Sequence, residues 1–292
     1  MRLVHLTDPH LSDLEGLRVS DLLNKRWTGY VSWQRNRRRK HLPAVLERLS
    51  VAVKAEAADQ VLLTGDLVQI GLAREIEQAA QWLGELGPAE KVMLVPGNHD
   101  FYARGRAETA HCAWQEYLFH GVDSGENAFP SVRKLAGMTL IGLSSACVTP
   151  VFMASGKLGA GQLDKLAGLL QQAASEHQAV CLLIHHPPLP GMTKWRKALA
   201  DADALQAVLK DYPPSLIFHG HLHHNREQQW GNTRIYCTAS ASSVCDASYR
   251  VIDIEDAVGF RTFTMTLKSV AIETGGDLSF ATIDEQSWQV QK

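Results

Sequence analysis

Val61-Leu62-Leu63-Thr64-Gly65-Asp66 holds in six residues the pattern from which the fold is read. Three apolar side chains and a threonine suit a short buried strand, and Gly-Asp ends it with a turn residue and an anion. The same grammar recurs along the chain. Leu3 to Thr7 runs into Asp8-Pro9-His10, and Val92 to Val95 into Gly97-Asn98-His99-Asp100. Ala179 to Ile184 runs into His185-His186-Pro187-Pro188, and Leu216 to Phe218 into His219-Gly220-His221-Leu222-His223-His224. Helical spacing fills the intervals, as in Leu42, Val45, Leu46, Leu49 and Val53, then Ile76, Ala79, Ala80 and Leu83, then 107–119, 161–175 and 203–209. Residues 129–135 and 138–144 read as strands joined at Gly137. Beyond about 225 the pattern turns strand-rich, with 225–230, 233–238, 249–254, 259–267 and 278–283. This alternation predicts an α/β fold in one domain over 1–292, with an insertion at about 13–41 and antiparallel strands added from about 225.

Composition excludes several classes. Over 292 residues, 45% hydrophobic and 21% charged is the balance of a folded chain rather than a disordered one. A net charge of −2 argues against a generally basic nucleic-acid binder. No apolar run approaches the roughly 18 residues of a membrane-spanning helix. The opening Met1-Arg2-Leu3-Val4-His5 reads as a strand rather than a secretion signal, and the five Cys form no Cys-x-x-Cys pair. The expectation is a reduced, cytoplasmic protein.

The 13 His are the unusual number, because several cluster at strand ends. In parallel α/β sheets, ligands bind beyond the carboxyl ends of strands, so five parallel strands would open all five clusters onto one crevice. Asp8, His10, Asp66, Asn98, His185, His221 and His223 offer seven oxygen and imidazole donors. A single four-coordinate ion needs fewer, whereas two ions about 3.5–4 Å apart with one carboxylate bridging them account for seven. Gly65, Gly97 and Gly220 allow sharp turns beside bulky ligands. If His221-x-His223 is extended, both imidazoles point the same way.

These motifs, in order from residue 8 to 223, resemble those of the calcineurin-like metallophosphoesterases. The resemblance implies a four-layer αββα sandwich, two mixed β-sheets flanked by helices. It also implies two divalent ions, drawn from manganese, iron or zinc. Asp8, His10, Asp66 and His223 would hold one; Asp66, Asn98, His185 and His221 would hold the other, with Asp66 bridging and His185 rather than His186 as ligand. The expected reaction is in-line attack on phosphorus by a hydroxide between the metals. His99 matches the family's catalytic histidine, and Asp100 is expected to fix its tautomer as a carboxylate–imidazole pair. The expected function is a metal-dependent phosphoric ester hydrolase acting as a phosphodiesterase.

Residues 25–41 carry seven Lys or Arg and no acid. Trp27, Tyr30 and Val31 share one helical face, with Trp33 elsewhere on the turn. Three uses fit the segment: a solvated helix face packed on the body, a surface segment touching anionic lipid at the inner membrane face through Trp27 and Trp33, or a clamp for a polyanionic substrate. Arg35, Arg38, Arg39 and His186 are the expected substrate contacts. The Lys25-Arg26-Trp27 insertion is loosely similar to the branch of UDP-2,3-diacylglucosamine pyrophosphatases, which implies a lipid-bearing nucleotide sugar as the alternative substrate. A nucleic-acid substrate and a non-catalytic scaffold are the remaining rivals. The scaffold would be expected to have lost ligands that are all present.

Overall fold

The computed structural model describes residues 1–11, 14, 17–22, 26–101, 107–119, 128–274 and 276–291. Parts of the expected insertion (13, 15, 16 and 23–25) therefore lie outside the described residues. In chain order the main elements are β1 (Arg2–Leu6), α1 (Arg26–Ser32), a π-helical turn (Trp33–Arg37), α2 (Arg38–Lys40), α3 (Pro43–Ala55), β2 (Gln60–Leu63), α4 (Ala73–Leu86), β3 (Val92–Leu94) and α5 (Ala107–Phe119). There follow β4 (Ser131–Leu135), β5 (Met138–Gly142), α6 (Ala160–Ser175), β6 (Ala179–Leu183), α7 (Ala202–Asp211), β7 (Leu216–His219), β8 (Arg226–Trp230), β9 (Thr233–Cys237), β10 (Ser248–Ala257), β11 (Phe260–Ile272) and β12 (Leu278–Gln291).

The strands form two six-stranded sheets, ordered β12-β11-β10-β1-β2-β3 and β4-β5-β6-β7-β9-β8. Both are mixed: β1, β2 and β3 are parallel while β10 joins β1 antiparallel, and β5, β6, β7 and β9 are parallel with antiparallel β4 and β8 at the edges. Strand alternation separates the layers. Leu3, Leu62, Cys181, Leu183 and Phe218 point into the space between the sheets. Val4, Leu6, Val61 and Leu63 point the other way, onto Val45, Leu49, Ile76, Leu83 and Trp114 of α3, α4 and α5. Leu182 and Ile217 meet Leu166, Leu170, Leu205 and Leu209 of α6 and α7. These runs are apolar on both faces because both faces are covered. Leu49 is fully buried, so its truncation to alanine would cost about 2–5 kcal/mol.

The αββα layering agrees with the expectation. The five motif-bearing strands do not lie in one sheet: β1, β2 and β3 belong to the first and β6 and β7 to the second. Their carboxyl ends nevertheless converge, because the sheets pack face to face and the Asp8 amide donates to the Gly65 carbonyl at 3.0 Å while the His221 amide donates to Asp8 Oδ2 at 3.0 Å. The C-terminal strands also outrun their apolar signal. β12 continues past Ile283 to Gln291 in register with β11 although most of its side chains are exposed, carried by the backbone ladder and by Trp288 and Val290 on the core, Trp288 stacking on Phe263 at 5.3 Å. No described helix is long and apolar enough to cross a membrane.

Candidate metal centre

The loops that leave the strands are strained in a way few loops are. Asp8, His10, Asp66, His221 and His223 all have positive φ, between 46° and 69°. Left-handed backbone is uncommon for residues other than glycine and persists only where the surroundings over-determine it. Here the surroundings are hydrogen bonds. The Asp100 carboxylate accepts the backbone N–H groups of Asp66 (2.9 Å), Leu67 (2.8 Å), Val68 (3.3 Å) and Gly97 (2.8 Å), tying the β2 and β3 loops together. Gly65 and Gly97 meet at that junction: a Cβ on Gly97 would fall on the Asp66 carboxylate and amide, and one on Gly65 would fall on the Gly97 backbone.

The structure brings the seven expected donors into two adjoining sets. Asp8, His10, Asp66 and His223 can point one atom each to a common place, and so can Asp66, His185 and His221. Asn98 Oδ1 lies 3.2 Å from His185 Nε2 and so joins the second set. Asp66 belongs to both. Its Oδ1 accepts the His99 amide at 2.7 Å, while Oδ2 lies 3.4 Å from His185 Nε2 and 3.9 Å from His10 Nε2. The imidazoles are oriented from behind. His185 Nδ1 donates to the Thr64 carbonyl at 2.6 Å and His10 Nδ1 to the Val68 carbonyl at 3.3 Å, which leaves each Nε2 lone pair aimed into the site.

Among the donor atoms, Asp8 Oδ1 and His221 Nε2 are buried and make no hydrogen bond, with Asp8 Oδ1 lying 3.1 Å from His223 Nε2. Such orphans are costly unless something else satisfies them. One belongs to each donor set, and His10 Nε2 and His223 Nε2 approach to 3.1 Å, within reach of a shared cation. The donor chemistry thus fits two divalent cations of the kind that take mixed oxygen and imidazole ligands. Electrostatics agree. Burial would push the Asp66 carboxyl up, but the His185 and His99 imidazoles hold it well below the usual carboxylate range. Burial disfavours a charged His185, yet Asp66 outweighs that and pushes it up to about 9. Protons stand here where cations would.

A model described as calcineurin-like phosphoesterase matches residues 1–225. The chain belongs to this family. It is a metal-dependent phosphoesterase, built on the divalent-metal chemistry of calcineurin-like phosphoesterases. Among relatives, a probable cyclic nucleotide phosphodiesterase of Synechococcus is 28% identical over 219 residues, covering 72% of this chain and 77% of that one. The 3',5'-cyclic adenosine monophosphate phosphodiesterase CpdA of Escherichia coli K12 is 25% identical over 247 residues, covering 82% and 76%. A dimetal phosphatase from Danio rerio has the same fold, with a TM-score of 0.70 at 14% identity over 98% of each chain.

Around this calcineurin-like centre several expectations need correction. Asp100 does not touch the His99 ring, because its carboxylate is taken up by backbone amides; His99 Nδ1 pairs instead with the Gln69 carbonyl. His221-Leu222-His223 is a turn, not an extended segment, so its two imidazoles diverge into different donor sets. His186 is buried, bonded to Ser145 Oγ at 2.8 Å and to the Ala154 carbonyl at 3.2 Å, and its ring packs 4.5 Å from that of His221. Burial, with His185 beside it, pulls it down to about 3.

The basic insertion is anchored, not loose. Arg26 is buried and donates to the Ile70 and Gly71 carbonyls, each at 2.9 Å. Tyr30 and Trp33 stack at 5.9 Å and pack on Leu14, Ile70 and Leu72, so Trp33 forms no lipid-facing pair with the exposed Trp27. Of the expected arginines, Arg35 lines the large cleft beside the donors, while Arg38 lies over the Trp33 ring at 5.7 Å and neither it nor Arg39 is among the residues lining that cleft. Two residues went unread in sequence. Arg37 Nη1 sits 3.0 Å from His99 Nε2 and 3.1 Å from Gln69 Oε1. His41 adjoins His10 and His223 with its Nδ1 held by Ser242 Oγ at 2.9 Å. The only sequence signal for Arg37 was its place in the basic run.

Proposed function

We propose that this chain is a phosphodiesterase whose seven donors hold two divalent cations, one on Asp8, His10, Asp66 and His223, the other on Asp66, Asn98, His185 and His221. The observation that carries the reading is the pair of adjoining donor sets sharing Asp66, beside a cleft lined by Asn98 and His99. Bound cations supply positive charge to phosphoryl oxygens and lower the pKa of a coordinated water. The relatives named as phosphodiesterases support a diester over a monoester substrate.

The chain's own residues then supply orientation and a proton. Asn98 and His99 line the cleft and sit beside the second donor set. Burial and the Arg37 guanidinium pull the His99 imidazole down to about 3, so the ring is neutral at pH 7, with Nδ1–H given to the Gln69 carbonyl and Nε2 toward Arg37. An anionic phosphate drawing the guanidinium to itself removes that repulsion and places negative charge beside Nε2. Both changes raise the proton affinity of the ring, so that Nε2 can take up a proton from solvent water and hand it to the departing oxygen. His99→Ala in the manganese-loaded protein should lower kcat on bis(p-nitrophenyl) phosphate about 10²- to 10⁴-fold with metal content unchanged. Loss of both ions in that variant would show that His99 serves the centre's structure instead.

A further inference from the structure

Charge in the cleft is far from the average of the chain. Net charge overall is −2. Yet the cleft of about 1130 Å³ that reaches Asn98 and His99 is lined by Arg35, Arg37, Lys194, Arg196, Lys197 and Arg226, and no carboxylate is among its described lining residues. Desolvating one phosphodiester, a single negative charge, does not require six cations. Three of them, Lys194, Arg196 and Lys197, sit together around a single 3₁₀ turn (Trp195–Lys197) that lines the cleft along with residues of the insertion.

That wall also carries two aromatics that packing does not explain. Trp195 is 68% exposed with the Arg196 guanidinium over its ring at 5.3 Å, Phe152 is 77% exposed, and both line the cleft. Phe152 has φ of 66°, a left-handed conformation that is a genuine outlier for so bulky a residue. Their loops are joined as one unit: the Ala154 amide donates to the Arg196 carbonyl at 2.9 Å and the Gly156 amide to the Ala198 carbonyl at 3.1 Å. A rigid loop pair that holds large rings in water beside a cation cluster is suited to stack a planar base and grip the phosphate next to it. The volume exceeds the roughly 300–1,000 Å³ usual for a small-molecule site, so it has room for more than a single phosphoryl group.

The geometry points to a second anion subsite formed by Lys194, Arg196 and Lys197, with Trp195 and Phe152 as a base platform, so that the substrate is a nucleotide-type ester bearing a further phosphate besides the scissile one. This deepens the phosphodiesterase reading and rests on it. The test is calorimetric binding to the manganese-loaded full chain, using adenosine 5'-(α,β-methylene)diphosphate, AMP and inorganic pyrophosphate as probes. The methylene diphosphate should bind at least tenfold tighter than AMP and at least tenfold tighter than pyrophosphate. Lys194→Ala, Arg196→Ala and Lys197→Ala, all at exposed positions, should each narrow the first gap, and Trp195→Ala the second. Equal affinity for the methylene diphosphate and AMP in the wild type, or a gap that survives all three cation substitutions, overturns the subsite. Hydrolysis of bis(p-nitrophenyl) phosphate by the same preparation reports separately on the parent reading: its absence alongside the tenfold gap sinks the diesterase and leaves the subsite standing.

Discussion

Replacing Asp100 with asparagine separates two roles for this carboxylate. Oδ1 accepts the Leu67 and Val68 amides, at 2.8 and 3.3 Å, and Oδ2 accepts those of Asp66 and Gly97, at 2.9 and 2.8 Å. An asparagine keeps one oxygen and presents an NH₂ to the other pair of donors. Two buried N–H groups then lose their acceptor, at about 1–3 kcal/mol each, so a loss of about 2–6 kcal/mol is expected from Asp100→Asn, a large part of the 5–15 kcal/mol typical of a domain. The strained Asp66 backbone, at φ of 57°, loses its tether at the same time, so the bridging carboxylate should drift and metal content should fall with stability. Urea unfolding gives the first quantity and elemental analysis of the dialysed protein the second. A variant with the wild-type urea midpoint and two full metal equivalents, deficient only in turnover, would refute this account and restore Asp100 as a partner of the His99 ring.

Further outcomes follow from the same contacts. Gly97→Ala puts a Cβ onto the Asp66 carboxylate and amide, and the folded variant should lose metal more than it loses secondary structure, as read by elemental analysis against circular dichroism. Glu75 is buried against the Gln69, Ile70 and Leu72 amides, and burial outweighs those bonds to push its carboxyl up to about 7 from 4.5. A carboxyl raised on folding contributes stability that is complete below its unfolded pKa and lost as pH rises through the folded one. Wild type should therefore lose up to about 3 kcal/mol relative to Glu75→Gln between pH 4.5 and 7; a difference in denaturation midpoint that stays flat with pH would count against it. Chelation should abolish hydrolysis and lower the thermal midpoint, because ions at about 100 times their Kd stabilise by about 2.7 kcal/mol. With His185 pushed up to about 9 by Asp66, reloading at pH 7 should release close to one proton from it, measurable by calorimetry in buffers of different ionisation enthalpy.

Local order set the strand-and-turn pattern of this protein, and with it the donor identities. An apolar run followed by Gly-Asp, Gly-Asn-His-Asp or Gly-His-x-His reads correctly because both signals, hydrophobicity and turn chemistry, lie within a few residues of each other. The pairing of five such turns from two sheets was not local. It depends on which strands neighbour which, and β10 enters beside β1 from about 250 residues away. The destination of a polar side chain was equally out of reach. Asp100 next to His99 in sequence implied a pair, whereas the turn points the carboxylate back at amides near residue 66. In the basic run, Arg37 closes the π turn at Trp33–Arg37 and lines the cleft, whereas Arg38 and Arg39 do not. Residue types and their spacing thus specified the chemistry available, while tertiary packing decided which donor atoms came within reach of one another.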